Sequence, residues 1–476
     1  MQALSGVDAA FLYLETRQTP MNIASVHLFD LPPRYRRDFF AVTRRQLASR
    51  LPLAPVLHRK LAPMPLHLAN PVWVEDDDVD IDYHVQRVAL PPPGTQAPFE
   101  KCAAHLHGEL LDRSRPLWRL YVIVGLQSRQ IGCYFKLHHA ALDGQAGVFL
   151  TRMLFDLTPR PAALRRSQMA AAEHPGMIEL GAAALWHDAG QYIKLVRHLP
   201  EIVRTLYGIF GSPKCAGTGK GRLGQSLVFG PHTALNVPIT AGRGFAGMSL
   251  PMDDLRQLAQ AHDAKLNDVV LALCSGVLRR YLADHGGIPK KPLTAAMPIS
   301  LREADNREYT VQATMPLVSL HTHIADPVRR LHAIRDAAGA VKAMVNQARS
   351  VVPMDFPSFG VPWLLRGLAE LYGRSHIAGV ISALANVVIS NIPGPQVPLY
   401  AAGARMTTFW PVSIVEHGLG LNITVLSYAG AMGFGFTTAS AAVPEAHLLT
   451  LALRVSFDEL VACTRSTPPA ATRRRH

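Results

Sequence analysis

From Ile131 to Gly144 the chain reads IGCYFKLHHAALDG, an apolar run that ends in two adjacent histidines and a turn. The apolar and aromatic residues before the histidines predict a buried strand. Successive strand residues face opposite sides of a sheet, so we expect His138 and His139 to point apart and only one of them to reach a given cleft. Asp143 and Gly144 then predict a turn into a helix, because glycine tolerates the positive φ that such a turn can need.

The sequence on both sides of this strand predicts sheets with helices packed against them. A second β-rich run, Trp118–Leu126, is joined to Ile131–His139 by four polar residues, which predicts a hairpin. The other predicted elements are a strand at 24–29, helices at 38–49, 147–157 and 266–285, and β-rich runs at 419–428 and 431–438. No internal repeat is evident, which argues against a solenoid or propeller. The predicted fold class is α/β, or α+β.

The length of the chain predicts two domains. It has 476 residues, more than one hydrophobic core usually serves, since cores stop growing near about 250–300 residues. Between about 161 and 234 the composition changes to Ala, Gly, Arg and Lys with several prolines, which predicts a helical crossover linker. We therefore expect a first subdomain at 1–160 and a second at 235–476.

The charge and cysteine content restrict the partners and the compartment. The formal net charge of +13 suits an anionic partner. The basic clusters are dispersed and carry no nucleic-acid-binding signature, so nucleic acid is not an expected partner. Five scattered cysteines indicate free thiols in a reducing compartment. With no secretory signal and no long apolar span, we expect a cytoplasmic protein.

Two features leave alternatives open. Tyr192–Phe210 is a basic amphipathic stretch, which can lie in a membrane interface or pack across the two domains. The paired histidines can supply a general base, since a neutral imidazole is well matched to proton abstraction near pH 7, or can satisfy buried hydrogen bonds. A metal site drawing in Cys102, His105 and His107 is less favoured, because adjacent strand histidines do not readily share one ion.

Several strings together resemble a known family. HHAALDG, at 138–144, resembles the HHxxxDG motif of coenzyme A-dependent acyltransferases with the chloramphenicol acetyltransferase-like fold. Other matching strings, in chain order, are Leu4-Ser5 with Asp8, Phe11, Leu14 and Glu15, then Pro20-Met21, Pro71-Val72-Trp73, Pro116-Leu117-Trp118, Asn267-Asp268-Val269-Val270, Pro298-Ile299-Ser300-Leu301-Arg302, Asn391-Ile392-Pro393-Gly394-Pro395 and Gly420-Leu421-Asn422-Ile423. Over nearly the whole chain this order resembles the bacterial wax ester synthase/acyl-CoA:diacylglycerol acyltransferases.

The resemblance implies a fold, a reaction and a catalytic residue. The fold is two chloramphenicol acetyltransferase-like subdomains, each a mixed sheet with helices, with a substrate channel between them. His139 would be the general base that transfers a fatty acyl group from acyl-CoA to a fatty alcohol, giving a wax ester, or to diacylglycerol. His138 and Asp143 would position it. Acyl-CoA is a substrate here, and neither cofactor nor metal is expected.

The same resemblance extends the list of candidate site residues to the motif and the channel: Gly144, Asn267, Asp268, Ser300, Arg302 and Trp118. Asn267 is either a hydrogen-bond donor to the tetrahedral intermediate or a helix N-cap, and Ser300 is the second candidate donor. Asp268 in a first helical turn is also favourable for the helix alone. One departure is that Arg307–Gln312 lacks the Gly-Asn pair that often follows the Pro-x-Ser-x-Arg string.

Lipid substrates also imply peripheral contact with the inner membrane or with lipid droplets. Two alternatives remain open at this point. One keeps the fold and acylates another hydroxyl acceptor. The other is a lipid-droplet or membrane-surface protein that binds acyl lipids without turnover.

Overall fold

A computed structural model of the chain describes residues 2–4, 6–62, 70–142, 144–160, 230–300, 313–348 and 385–466. The strands in these ranges are β1 (Gln2–Ala3), β2 (Asn22–Asp30), β3 (Arg59–Ala62), β4 (Val72–Glu75), β5 (Val85–Ala89), β6 (Trp118–Val124), β7 (Ile131–His138), β8 (Arg243–Pro251), β9 (Thr294–Ala296), β10 (Ile299–Ser300), β11 (Ala313–Thr314), β12 (Leu317–Ser319), β13 (Val387–Ile392), β14 (Tyr400–Ala401), β15 (Ala404–Val412), β16 (Leu421–Tyr428) and β17 (Ala431–Ala439). The helices are α1 (Gly6–Leu14), α2 (Phe39–Arg50), α3 (Ile81–His84), α4 (Gln96–Gly108), α5 (Gly144–Leu154), α6 (Met252–Ala261), α7 (Leu266–Asp284), α8 (Pro327–Ala348) and α9 (His447–Ser466).

The first of two six-stranded sheets carries the histidine motif. Its strand order is β14-β15-β2-β7-β6-β5. The hairpin predicted on either side of Gln127–Gln130 is confirmed, with β6 and β7 antiparallel and Trp118 opposite Leu137. On its other side β7 pairs antiparallel with β2, with His138 opposite Asn22. The motif strand is therefore central and paired on both sides.

Helices α2 and α5 cover one face of this sheet. Helix α2 begins after Asp38, whose side chain accepts hydrogen bonds from the backbone N–H groups of Phe40 and Ala41, an N-cap that contributes about 1 kcal/mol. Arg50 at the end of α2 forms a buried ion pair with Asp156, just beyond α5. The two helices are thereby joined on one face of the sheet that holds β7.

The second sheet has the order β12-β9-β13-β16-β17-β8. Its inner strands β9, β13 and β16 run parallel, and β16 and β17 form an antiparallel hairpin. Helix α7 is buried along most of its length and packs against α8 and α9. Together they enclose the larger hydrophobic core.

The two sheets share a stretch of chain that the sequence did not indicate. Strand β15, from the predicted second subdomain, pairs antiparallel with β2 of the first sheet, with Trp410 opposite Val26. The backbone of β15 also lies very close to β17 of the second sheet. This approach requires glycine in β17, because a Cβ added at Gly435 would collide with the carbonyl oxygen of Pro411. The linear division at 235–476 therefore does not describe the spatial units, since residues 400–412 lie in the first sheet.

A second contact joins the units through α4. The Glu100 carboxylate accepts the backbone N–H of Gly247 in β8 at 3.0 Å, and Gln96 donates to the carbonyl of the same residue at 3.1 Å. Strand β8 is the edge of its sheet, so these two side chains take up hydrogen-bonding groups that the edge leaves free.

The predicted helices and strands that fall in the described ranges agree with the structure to within a few residues. The predicted helices 38–49, 147–157 and 266–285 are observed at 39–50, 144–154 and 266–284. The predicted linker up to 229 and the amphipathic stretch Tyr192–Phe210 lie outside the described residues. Among the helices that the structure describes, none combines the length and the apolar character needed to cross a bilayer.

Candidate active site

The end of β7 brings the two histidines to the N-terminal segment of the chain. The strand ends at His138, and the backbone N–H of His139 donates to the carbonyl of Met21 at 2.8 Å. Both imidazoles contact the segment from Phe11 to Glu15, which includes the end of α1. The two rings have different partners there, Phe11 for His139 and Glu15 for His138. That they point to opposite sides of the sheet stays a prediction.

His138 is fully buried and held at both ring nitrogens. Its Nδ1 accepts the backbone N–H of Ala140 at 3.0 Å, and its Nε2 lies 3.2 Å from Oε1 of Glu15. An acceptor at Nδ1 places the ring proton on Nε2, facing the carboxylate. His138 is therefore a fixed part of the fold around the site, and its role in positioning the base stays a prediction.

Glu15 organises this arrangement from the other side. Its side chain is 3% exposed; Oε1 accepts the N–H of Met21 at 3.1 Å, and Oε2 accepts from Arg113 at 2.9 and 3.2 Å. Burial raises the pKa of Glu15, but the hydrogen bond with His138 and the charge of Arg113 outweigh it and lower the pKa from 4.5 to about 2. Glu15 is thus a buried carboxylate that is ionised at neutral pH.

Glu15 belongs to a string that resembles the family, and the sequence alone did not indicate a role for it. One signal could have identified Glu15. It is an ionisable residue next to the apolar residues Phe11 and Leu14, at the end of the N-terminal string that resembles the family. Such a residue buries its charge only with partners, and those partners lie about a hundred residues away in the chain.

His139 is half-buried and differs from its neighbour in every contact. Its ring stacks on Phe11 with a centroid distance of 4.1 Å and an interplanar angle of 17°. Its Nδ1 is buried among the described residues without a side-chain partner. Burial lowers the pKa of His139 from 6.5 to about 4, partly opposed by its own backbone carbonyl and assisted by His138. The imidazole is therefore neutral at physiological pH.

Asn267 is not the N-cap of its helix. Helix α7 begins at Leu266 after Lys265, so Asn267 is already helical. Its Oδ1 accepts from Nδ2 of Asn391 at 3.1 Å, and its Nδ2 lies 3.7 Å from the sulfur of Met297. Two of the motif strings therefore meet through these asparagines. Among the described residues, the acceptor near Nδ2 of Asn267 is the weakly accepting sulfur of Met297.

Asp268 supports its own helix. It is buried, and Oδ2 accepts the backbone N–H of Lys265 at 2.8 Å, which holds the first turn of α7. These contacts explain Asp268 as a residue of the first helical turn, and its place in the substrate channel stays a prediction.

Trp118 belongs to the core and not to a substrate channel. It is completely buried, its Nε1 donates to the carbonyl of Leu57 at 2.8 Å, and its ring stacks on His84 at 4.3 Å. The expectation that it lines the channel is wrong, because its indole points into the core beneath the first sheet.

Of the other candidate residues, two lie in described elements and two lie outside the described residues. Gly144 is the first residue of α5, and Ser300 ends the short strand β10. Asp143 and Arg302 lie outside the described residues. In the described ranges, no group of three or more His, Cys, Asp or Glu side chains is arranged to hold a metal ion.

Comparison with known proteins assigns the chain. The family model described as the wax ester synthase/diacylglycerol acyltransferase catalytic domain matches residues 4–270, and that of the WS/DGAT C-terminal domain matches 312–461. The chain belongs to this family. A putative diacylglycerol O-acyltransferase of Mycobacterium tuberculosis is 34% identical over 468 residues, covering 96% of this chain and 99% of the relative. A probable diacylglycerol O-acyltransferase of the same organism is 30% identical, covering 95% and 97%.

Solved structures agree with the family assignment. The wax ester synthase/diacylglycerol acyltransferase from Marinobacter aquaeolei VT8 superposes with a TM-score of 0.70 and 27% identity, over 98% of this chain and 100% of that one. The first condensation domain of the CDA synthetase shares the fold, with a TM-score of 0.56 and 14% identity over 99% and 97% of the two chains. The predicted fold class and acyltransferase activity of this wax ester synthase/diacylglycerol acyltransferase family member are thereby confirmed. The channel between the units stays a prediction.

Proposed function

We propose that this acyltransferase moves a long-chain acyl group from acyl-CoA to the hydroxyl of a fatty alcohol or of diacylglycerol, with His139 as general base. The observation that supports the proposal is the protonation state and fixed orientation of the His139 imidazole. It is neutral, because burial lowers its pKa to about 4, and its plane is fixed by stacking on Phe11. With Nδ1 buried, Nε2 is the nitrogen available to a substrate.

The proposed reaction needs one proton carrier. Nε2 of His139 takes the proton of the acceptor hydroxyl while the hydroxyl oxygen attacks the thioester carbonyl carbon. When the tetrahedral intermediate collapses, the carbon–sulfur bond breaks and the imidazolium returns the proton to the thiolate of CoA. The products are an ester and free CoA, and the sequence of steps uses neither an acyl-enzyme nor a cofactor or metal.

Glu15 and His138 hold the base in place. Glu15 fixes the tautomer of His138 from one side, and the backbone N–H of Ala140 fixes it from the other. The next residue, His139, is tied to Met21, whose own N–H also donates to Glu15. The carboxylate therefore contacts both residues that adjoin the base, His138 and Met21, and we assign it a positioning role. Asp143 keeps its expected positioning role by analogy with the family motif.

Asn267 is the proposed donor to the oxyanion of the intermediate. Because Asn391 donates to its Oδ1, the amide is oriented with Nδ2 on the other side, where its hydrogen-bond partner among the described residues is the sulfur of Met297. Thioether sulfur is a weak acceptor, so little is lost when this N–H turns to a developing oxyanion.

Contact with a membrane or lipid droplet is part of the same proposal. Its support is the net charge of +13, which attracts a protein to anionic lipid surfaces, together with substrates that dissolve in lipid. Flotation with vesicles of phosphatidylcholine alone and with added phosphatidylglycerol tests it, and equal binding to both would count against an electrostatic attachment.

Thiol release from palmitoyl-CoA tests the reaction. We expect release that depends on hexadecanol or dioleoylglycerol, and a loss of about 10²–10⁴-fold in kcat for His139→Ala. The ratio of rates with the two acceptors identifies the preferred product. Acyl lipid that stays bound to His139→Ala, with no release by the native protein, would instead mark a non-catalytic lipid binder.

A different acceptor is resolved by the same assay. If neither hexadecanol nor dioleoylglycerol supports release but a different hydroxyl compound, such as a secondary alcohol, does, the proposed fold and base remain and only the acceptor changes. Full activity of His139→Ala with any acceptor would refute the assignment of the base.

A further inference from the structure

The first residue of β8, Arg243, connects the second sheet to the turn between α1 and β2. Its Nη1 donates to the backbone carbonyls of Thr240 and Gly242 at 2.6 and 3.2 Å, and its Nη2 donates to the backbone carbonyl of Gln18. Strand β8 is part of the second sheet, whereas Gln18 lies shortly before β2 of the first sheet. One guanidinium therefore joins the chain segments of both sheets.

The charge of Arg243 is held by neutral groups. In the part of the chain that the structure describes, no carboxylate lies within ion-pair distance of it, and its acceptors are three backbone carbonyls. Burial lowers the pKa of Arg243 to about 10, so the guanidinium stays charged at neutral pH. Hydrogen bonds from a charged donor are about twice as strong as neutral ones. The contact between β8 and the turn is therefore stronger than a neutral side chain would provide.

The turn that Arg243 contacts is closed by its own hydrogen bonds. The backbones of Thr16 and Thr19 exchange hydrogen bonds at 3.3 and 3.2 Å, and their hydroxyl oxygens are 2.8 Å apart. The Thr19 hydroxyl also donates to the carbonyl of Leu14, the last residue of α1, at 3.2 Å. A displacement of Gln18 must therefore move the residues on both sides of the turn.

The end of α4 lies beside the same arginine. A Cβ added at Gly108, the last residue of α4, would be 3.7 Å from Cγ of Arg243. The next residue, Glu109, accepts Nδ2 of Asn22 through its backbone carbonyl at 2.9 Å, and Asn22 is opposite His138 in the β2–β7 ladder. Arg243 is therefore in contact with two segments that border the motif strand.

The residues on either side of the turn are those that contact the two histidines. On one side, Oε1 of Glu15 lies 3.2 Å from Nε2 of His138. On the other side, the carbonyl of Met21 accepts the backbone N–H of His139 at 2.8 Å. We propose that Arg243 is a positioning residue, through which the second sheet fixes the turn and, with it, the general base; this rests on the proposed role of His139.

Thiol release per folded molecule tests the proposal. We expect Arg243→Gln to lower kcat about tenfold and to leave KM for palmitoyl-CoA and hexadecanol unchanged, because a displaced base loses its alignment while substrate binding is kept. Arg243→Lys keeps the charge without the planar fork of donors, so it should retain part of kcat. It serves as the test variant if Arg243→Gln does not fold. A wild-type kcat, or a change in KM alone, would overturn the proposal.

The matched control is Arg279→Gln. Arg279, in α7, is also half-buried, and its Nη1 donates to the backbone carbonyl of Thr322 at 2.8 Å. The variant therefore also removes a charged donor from a backbone carbonyl, but within the second unit. It should keep the wild-type kcat and KM. An equal fall in kcat for Arg279→Gln and Arg243→Gln would show a general effect on the fold and would overturn the positioning role.

The pKa of His139 tests the same contact without turnover. Burial lowers this pKa from 6.5 to about 4, so an imidazole that is held less firmly against Phe11 gains water and its pKa rises. We expect an increase of about one unit in Arg243→Gln and none in Arg279→Gln. The measurement is an NMR titration of protein labelled with ¹³C at histidine Cε1, with the signal assigned against His139→Gln.

The titration also separates this proposal from the proposed reaction. An unchanged pKa of His139 in Arg243→Gln would overturn the positioning role. If the native protein releases no thiol with any acceptor, a raised pKa in Arg243→Gln still supports the positioning role, and only the proposed reaction is refuted.

Discussion

Replacing Glu15 by glutamine removes one charge from a buried cluster and changes almost nothing in size. The carboxylate faces four donors: the N–H of Met21 and Nε2 of His138 on Oε1, and two N–H groups of Arg113 on Oε2. An amide has only one acceptor oxygen. Whichever way it turns, its NH₂ group must face donors on one side.

The size of the effect follows from the pKa of Glu15. Its value of about 2 against 4.5 corresponds to about 3 kcal/mol in favour of the charged form, at about 1.4 kcal/mol per unit. The side chain is 3% exposed, so solvent screens little of this. We therefore expect Glu15→Gln to lower the free energy of unfolding at pH 7 by about 3 kcal/mol.

The contribution of Glu15 to the free energy of unfolding decreases as the pH falls. The pKa of Glu15 is depressed in the folded protein, so its contribution is complete above about pH 4.5 and is lost as pH falls towards 2. In that window the unfolded chain binds a proton that the folded protein does not. The difference in stability between wild type and Glu15→Gln should shrink there.

Urea unfolding at pH 7 and pH 3.5, followed by intrinsic fluorescence, measures this difference, and thiol release measures the catalytic effect. We expect kcat to fall at least about tenfold, since a misplaced general base loses much of its contribution. Glu459→Gln is the control, because its pair with Arg280 is 2.9 Å long but more than a third exposed on both sides, and such pairs contribute at most about 1 kcal/mol. Equal unfolding free energies for the two variants would refute the reasoning.

Three further predictions concern the remaining site residues. For the wild type, kcat/KM should stay constant from pH 8 to about 5 and fall only as pH approaches 4, because His139 is protonated only there; a fall already centred at 6.5 would contradict its burial. Asn267→Ala should lower kcat about 10²–10³-fold with little change in KM if its amide meets the oxyanion, and unchanged kcat would exclude that role. Trp118→Phe should destabilise the fold by about 1–3 kcal/mol through the lost hydrogen bond to Leu57 and leave KM for acyl-CoA unaltered; an altered KM would return it to the substrate site.

Local features of the sequence predicted the elements near the motif. Alternation and a polar turn gave the β6–β7 hairpin, and Asp38 marked the start of α2, because these signals lie within a few residues of the structure they specify. The pairing of β15 with β2 joins residues almost four hundred positions apart. Such a pairing leaves no local periodic mark, so the second subdomain was predicted with too simple a boundary.

Only the part of the candidate site that lies within the string HHAALDG, at 138–144, could be predicted from the sequence. The two histidines were found, and their neighbours in space were not, since Glu15 contacts His138, and Arg113 pairs with Glu15, from distant parts of the chain. Trp118 shows the opposite error. It lies in one of the strings that resemble the family, but a large apolar side chain there can serve packing as readily as binding, and its complete burial indicates packing.

The pairing of β15 with β2 of the first sheet determines when the first sheet can be completed during folding. As a ribosome synthesises the protein, β2 has a free edge until residue 412 has emerged, because its partner on that side is encoded near the other end. An unpaired edge readily adds strands from other chains, so the N-terminal piece made alone should be recovered as aggregate. When the C-terminal piece is supplied together with it, the N-terminal piece should become soluble. A protein cleaved between 161 and 229 should elute as a single species in size-exclusion chromatography, because the two pieces share a sheet.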